Sequence, residues 1–378
     1  MQRTMRGIDV LFEPIEQAIC NTLIPAICGR PVSDLERSLL ALPYRHGGLG
    51  IRNPMESASS AYETSVRITQ LLADLIVAQN MNLLELDRER VQTIKTEVAA
   101  ESEKALITKR EEIAAALDPK SKRLLECAQE KGASSWLSAL PLKRLGYTLN
   151  KQEFRDALCL RYGWRIPSMP AHCGCGAVNS VNHILICKKG GYVIMRHNAL
   201  RDTEARIMQK VCSDVRVEPG LLETEAGNER PDVSARGVWS KYERTFFDVK
   251  VMHPTADSHM QKSLAGLYAE GEAEKKRKYN QRIINVEKAT FAPLLFLTTG
   301  GMGPECSRVN KRLAELTSLK TGESYSLVIK HLRTRLRFAL LRATLIAVRG
   351  VRGRLRDEDE LNVDEISFNL IPRVPVND

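Results

Sequence analysis

The sequence has no long apolar run, and this lack argues against a membrane-spanning helix. No segment approaches the roughly 18 consecutive apolar residues that such a helix requires. The opening segment, MQRTMRGIDVLFEPIEQ, also lacks the apolar core of a secretory signal. We therefore expect a protein that is neither secreted nor embedded in a membrane, and whose cysteines stay reduced rather than forming disulfides.

Aromatic residues and negative charge are also scarce. Aromatic residues make up 5% of the chain, and 46 acidic residues face 56 Lys and Arg, which leaves a net charge of +10. A basic balance favours a polyanionic partner, with nucleic acid ahead of a membrane surface. The hydrophobic content of 43% is ordinary for a globular protein, so we expect two or three packed domains in the 378 residues.

Three of the nine cysteines cluster around a histidine. The segment CGCGAVNSVNHILIC contains Cys173, Cys175, His183 and Cys187. Two thiolates from a glycine-containing turn, with a His and a Cys one helical turn apart, can close a tetrahedral zinc site. Four filled positions predict a structural rather than a catalytic metal. Two alternatives stay open: His172 could replace one ligand, or the thiols could simply be buried beside a hydrogen-bonded histidine.

Hydrophobic periodicity predicts an α+β fold with a mostly helical N-terminal region. We expect a helix over 196–212, with Asn198 as its N-cap, followed by strands in DVRVEP, RPDV and TFFDVKV. A basic helix, AEGEAEKKRKYNQRIINV, then separates these strands from a final strand in APLLFL. The predicted divisions are a helical region (1–133), a helical segment with the zinc knuckle (134–192), the sheet domain (193–350) and a flexible tail (351–378).

The third strand alternates acidic and basic residues with apolar ones. Side chains in a strand alternate between faces, so Phe247, Val249 and Val251 are expected to face the core. Asp248 and Lys250 then share the other face. If RPDV forms the neighbouring strand, Asp232 lies beside Asp248, and the two carboxylates can hold Mg²⁺.

Two further side chains complete this hypothesis. Lys250 would orient an attacking water, and Glu204 on the preceding helix could supply another metal ligand. The alternative is that Asp248 and Lys250 are only the solvated face of a half-exposed strand, because such alternation is common. The order of helix and strands is that of the PD-(D/E)xK nucleases, and this order favours the catalytic interpretation.

The motif order also resembles a known family. A Cys/His knuckle, then Arg196-His197-Asn198, Arg230-Pro231-Asp232 and Asp248-Val249-Lys250, is similar to the restriction-like endonuclease end of site-specific non-LTR retrotransposon polyproteins. The resemblance covers about 134–350, and the loop LPYRHGGLGIRNP extends it. It implies a restriction-like mixed sheet flanked by helices and an enzyme that nicks DNA to prime reverse transcription. It also implies a nuclear or nucleocytoplasmic location.

The resemblance implies roles for particular residues and partners. Catalytic Mg²⁺ or Mn²⁺ would be bound by Asp232 and Asp248, and structural zinc by the knuckle. DNA is the expected partner, with element RNA as a further one. The implied DNA-contacting residues are Arg196, His197, Arg230, Lys275 and Lys278, with Tyr279 beside them.

The chain departs from the family in two ways. It has no adjacent Asp-Asp, so it lacks the palm motif of a reverse transcriptase, and no polymerase activity is expected. C-x-C also replaces C-x-x-C in the knuckle. Two alternative functions are a catalytically silent nucleic-acid-binding scaffold and a zinc-stabilised interaction module unrelated to DNA.

The last predicted helix, 323–349, is rich in basic residues. They could form a phosphate-contacting stripe. A solvated polar face is the favoured interpretation, because Leu332, Leu336 and Leu340 give the helix a clear apolar side. The basic residues are Lys330, Arg333, Arg335, Arg337 and Arg342.

Overall fold

The computed structural model describes residues 1–79, 84–222 and 230–350. The chain divides into two compact units, with the first ending at Leu125 and the second beginning at Glu126. This division lies close to the predicted boundary at 133/134, while the predicted boundary at 192/193 stays a prediction. The predicted flexible tail, 351–378, lies outside the described residues. Within the described part of the chain, no helix is long and apolar enough to cross a membrane.

The first unit is helical, as predicted, and its loop is closely packed. Its helices are α1 (Glu13–Ala18), α2 (Ile24–Cys28), α3 (Asp34–Ala41), α4 (Pro54–Ala78) and α5 (Leu84–Ala116), and α6 (Pro119–Gln129) crosses the boundary between units. Ser33 caps α3 in a reciprocal pair of hydrogen bonds with Glu36. In the LPYRHGGLGIRNP loop, a Cβ on Gly48 would lie 1.9 Å from the carbonyl oxygen of Leu42. Only glycine therefore fits this position.

The second unit contains all four strands of a small mixed sheet. The strands are β1 (Ser213–Val217), β2 (Val233–Arg236), β3 (Arg244–Met252) and β4 (Thr290–Leu297), in the order β1-β2-β3-β4. β1, β2 and β3 pair antiparallel, and β4 pairs parallel with β3. A parallel neighbour requires a crossover connection, and α11 (Leu264–Asn285) supplies it. The α+β class is confirmed, and strands form at β1, β3 and β4 as predicted, whereas β2 begins only at Val233, the last residue of RPDV.

Helices cover both faces of the sheet. One face packs Phe247 and Val249 into the main core, which draws on α10 (Tyr192–Gln209), α12 (Pro304–Thr321) and α13 (Tyr325–Arg349). The other face packs Phe246 against Tyr279 and Ile283 of α11. The remaining helices of this unit are short: α7 (Ser135–Ser138), α8 (Lys151–Tyr162) and α9 (Val181–Ile186).

Two expectations about the helices require correction. The helix predicted over 196–212 begins at Tyr192, with Gly191 as its N-cap, so Asn198 lies inside α10 rather than capping it. The arginines of α13 do not form a simple solvated face. Arg337 is buried and donates to the carbonyl of Ala133 at 2.9 Å, and Arg342 donates to the carbonyls of Gly146 and Thr148. These guanidinium groups satisfy carbonyls that no regular ladder reaches.

Candidate active site and candidate metal centre

The ladder between β2 and β3 brings Asp232 next to Asp248. Val233 pairs with Phe247, and the amide of Asp232 donates to the carbonyl of Phe247 at 2.9 Å. Asp232 therefore extends β2 by one residue and lies opposite Asp248. Its Oδ2 accepts a 2.6 Å hydrogen bond from the amide of Val249, which fixes the carboxylate across the start of the DVK motif.

The predicted alternation of β3 is confirmed, but the second face is not solvated. Phe247 and Val249 lie in the main core, with Val251 packed against it. Asp248 points to the α11 side, where its Oδ2 lies 2.5 Å from Nζ of Lys275. Asp248 is only 4% exposed, because α11 covers this face. The alternative interpretation, in which Asp248 lies on the solvated face of a half-exposed strand, is therefore wrong for Asp248.

His197 of α10 contacts Asp232 and the main chain of β3. Its Nε2 lies 3.1 Å from Oδ2 of Asp232 and 3.1 Å from the carbonyl oxygen of Val249. The two oxygens therefore converge on one point, and the imidazole N–H can donate to either. Burial lowers the pKa of His197, but the hydrogen bond and charge of Asp232 outweigh it and raise the pKa.

The electrostatics of Asp248 reflect burial beside a second carboxylate. Burial raises its pKa, the ammonium of Lys275 opposes that rise, and the negative charge of Asp232 adds to it. Two carboxylates and one carbonyl oxygen are hard oxygen donors, which is the ligand type that Mg²⁺ and Mn²⁺ prefer. The donor set therefore fits a divalent cation.

The basic helix α11 lies over this site. Lys250 forms an ion pair with Glu274 at 2.6 Å. The hydroxyl of Tyr279 donates to the carbonyl of Arg230 at 3.3 Å, and Lys278 lies 4.6 Å from the centre of the Tyr279 ring. Lys275 has only 18% of its side chain exposed, so its place is inside the site rather than on an outer phosphate-contacting surface.

Two residues from the sequence analysis lie elsewhere. Glu204 is fully buried, and its Oε1 accepts from Asn310 of α12 at 2.8 Å. Glu204 therefore contacts α12 rather than the aspartates, and His197 is the α10 residue that contacts Asp232. Arg196 is 2% exposed and donates to the carbonyl of Leu185 at 2.9 Å, so its predicted contact with DNA is replaced by a structural contact with α9.

The four predicted knuckle ligands come together. Their ligand atoms all lie within 4.8 Å of one another, and this group can hold a metal such as zinc. Sγ of Cys173 is 3.9 Å from Sγ of Cys187, and Sγ of Cys175 is 3.2 Å from Nε2 of His183. His172 is not in the group, and it forms a β-bridge with Val178 at the base of the turn. Within the described ranges, this is the one cluster of three or more such side chains close enough to share an ion.

Local structure explains how the knuckle forms. The amide of Gly176 donates to the carbonyl of Cys173 at 2.8 Å, which closes the turn that carries two ligands. Ser180 caps the N-terminus of α9, His183 lies in its first turn, and Cys187 is its C-cap. A hydrogen bond from the amide of Ala177 is the main cause that lowers the pKa of Cys175 to about 7, and the other thiols and His183 add to it. A lowered pKa favours the thiolate that metal binding needs.

A buried polar network that the sequence analysis missed connects α9 to the sheet. Nε2 of His253, just after β3, lies 3.0 Å from Oδ1 of Asn182. Nδ1 of His253 lies 2.8 Å from Oγ1 of Thr298, just after β4. Asn182 also donates to the carbonyl of Thr255 at 2.8 Å. The only sequence signal was the polar run HPT directly after an apolar strand.

No family model matches the chain, and no curated protein matches it either.

Proposed function

We propose that this protein is a metal-dependent DNA endonuclease with a restriction-like core and a structural zinc knuckle. The observation that carries the proposal is that Asp232 and the carbonyl of Val249 converge on His197, while the buried Asp248 lies opposite Asp232 across the ladder between β2 and β3. The strand order, an antiparallel β1-β2-β3 followed by a crossover helix and a parallel β4, supports the restriction-like assignment.

The chain's own groups suit phosphodiester hydrolysis. Mg²⁺ or Mn²⁺ would be held by Asp232, Asp248 and the carbonyl of Val249, and would polarise the phosphate and acidify a bound water. Lys250 projects from the same face of β3 as Asp248, where its ammonium can orient the water and stabilise negative charge at phosphorus. The water adds to phosphorus as the bond to the leaving oxygen breaks, and that oxygen takes up a proton.

Zinc is the metal we propose for the knuckle. Tetrahedral zinc with Zn–S bonds of about 2.3 Å places its thiolates roughly 3.8 Å apart. The 3.9 Å between Cys173 and Cys187 agrees with that separation. Three thiolates and one imidazole leave no open position for substrate, so the metal's role would be structural.

The motif order supports an origin in a non-LTR retrotransposon, where the nick would prime reverse transcription. The partners would then be target DNA and element RNA, in the nucleus. Arg230 is exposed beside Asp232 and is our candidate for a phosphate contact.

One observation favours a second candidate, a catalytically silent nucleic-acid-binding scaffold. The ammonium of Lys275 already neutralises Asp248 at 2.5 Å, in the role a metal ion would otherwise have. A scaffold of this kind would bind DNA without cutting it.

Nicking of supercoiled plasmid separates the two candidates. We expect the zinc-loaded protein to nick DNA when Mg²⁺ or Mn²⁺ is added, and to stop when the divalent ion is withdrawn. Asp248→Asn should lower the rate by about 100-fold or more, because a metal ligand is lost. The matched variant is Asp257→Asn, which changes an exposed aspartate of the loop after β3 and should nick normally. Binding without nicking in any divalent ion would favour the scaffold.

A further inference from the structure

A half-buried tryptophan lies at the opposite end of the β2–β3 hairpin from Asp232. Trp239 follows β2 in the connection to β3, and its ring packs against the edge of the main core. The site residues lie at the start of β2, on the order of 15 Å away at the rise of an extended strand. The surface around Trp239 is therefore separate from the candidate active site.

Three open grooves meet at Trp239. Their volumes are about 510, 490 and 420 Å³, and Trp239 lines each of them. Among the described residues, eight Lys and Arg side chains and three Glu side chains line the three grooves. The continuous surface that they form, which we call the Trp239 trough, is strongly cationic.

Arg308 and Trp239 form a cationic stacking surface in the trough, which we call the Arg308–Trp239 platform. The guanidinium carbon of Arg308 lies 4.6 Å from the centre of the Trp239 ring, and the Arg308 side chain remains 66% exposed. Lys311 is exposed one turn further along α12, and Arg312 is held by a 2.9 Å hydrogen bond to the carbonyl of Val238. Glu305 offsets part of the charge, because it lies 3.7 Å from Arg308 and 2.8 Å from Lys276.

We propose that the Trp239 trough binds single-stranded nucleic acid. An unpaired base stacks on the Arg308–Trp239 platform, and Lys311 with its cationic neighbours contacts the phosphates. Single strands fit this surface because their base faces are free to stack, whereas a duplex presents only base edges and backbone. The site goes beyond the proposed nuclease function and does not depend on it.

Binding of short labelled oligonucleotides to the full zinc-loaded chain, without added divalent ion, tests the proposal. The probes are a thymidine 15-mer, a uridine 15-mer and a duplex of the same length, followed by fluorescence anisotropy over a range of salt. Arg308→Lys keeps the charge and removes the planar group, and Lys311→Glu changes a charge that is exposed. The matched controls are Arg144→Lys and Lys143→Glu, which change exposed residues away from the trough.

Each variant has a distinct expected result. Arg308→Lys should weaken single-strand binding about tenfold without changing its salt dependence, since stacking is lost and charge is kept. Lys311→Glu should weaken binding and reduce the slope of log affinity against log salt by about one or more. Both controls should bind within about twofold of the unchanged protein.

The outcomes decide between the possibilities. The proposal is supported if Arg308→Lys weakens binding of either the thymidine or the uridine 15-mer. The 15-mer that binds more tightly identifies DNA or RNA as the ligand. Unchanged binding in Arg308→Lys overturns the proposal, as does equal affinity for the duplex. Asp248→Asn is expected to lower nicking by about 100-fold or more and to leave 15-mer binding intact, so failure of one proposal is distinguishable from failure of the other.

Discussion

At the scale of single residues, two buried carboxyl groups contribute to the pH dependence of stability. Glu204 is completely buried, and burial raises its pKa to about 7 against an ordinary 4.5. Glu130 shares this behaviour: burial raises its pKa to about 7, although a 2.7 Å hydrogen bond from Tyr268 opposes the rise. Oε2 of Glu204 and Oδ1 of Asn310 lack hydrogen-bond partners among the described residues. When Glu204 is protonated, its O–H group supplies one of the hydrogen-bond donors that these two oxygen atoms lack.

The sign of the pH dependence follows from these raised pKa values. The folded protein holds the two protons more tightly than the unfolded chain, so their stabilising effect is complete below pH 4.5 and is lost as pH rises to 7. We expect Glu204→Gln, which stays neutral, to flatten this decline by on the order of 2–3 kcal/mol. Urea unfolding at several pH values measures the free energy of unfolding and therefore its decline as the pH rises. Glu218→Gln, on a half-exposed side chain, is the control, and equal slopes in all three proteins would contradict the assignment.

At the scale of elements, the knuckle and the sheet are physically linked. α9 carries His183 in the metal cluster and Asn182 in the network with His253, so the two neighbouring residues connect the cluster to the ends of β3 and β4. Arg196 of α10 adds a contact to the carbonyl of Leu185. The residues that hold α9 against the sheet and α10 are therefore close neighbours of the cluster ligands in the chain, not the ligands themselves.

Two histidines of the knuckle provide a matched pair of variants. His183→Ala removes a proposed zinc ligand, whereas His172→Ala changes a residue of the neighbouring β-bridge. We expect His183→Ala to lose zinc to a chelator at least about tenfold faster, and to unfold at a lower temperature. His172→Ala should keep one zinc per chain. Zinc content after dialysis against a chelator measures both, and zinc loss in His172→Ala alone would reverse the ligand assignment.

At the scale of the whole molecule, the unit that begins at Glu126 contains the sheet, the knuckle and the Trp239 trough. Several features were predictable, because alternation and spacing are local properties of the sequence. These features are the strands, the sheet face on which Phe247 and Val249 lie, and the four knuckle ligands. The burial of Asp248 was not predictable from the sequence, since the helix that covers it, α11, reaches that face of the sheet through the crossover from β3 to β4. The same reason explains Arg196 and Glu204: a polar residue on a helix does not reveal which neighbour will enclose it.

The proposal that Asp232 and Asp248 form a divalent-cation site is tested most directly by terbium luminescence. Tb³⁺ prefers the same hard oxygen ligands, and Tyr279 interacts with Asp248, close enough to sensitise the ion. In the zinc-loaded protein we predict tyrosine-sensitised luminescence that Mg²⁺ displaces, that Asp248→Asn abolishes and that Asp257→Asn preserves. Luminescence that survives in Asp248→Asn, or that Mg²⁺ fails to displace, would contradict the proposal.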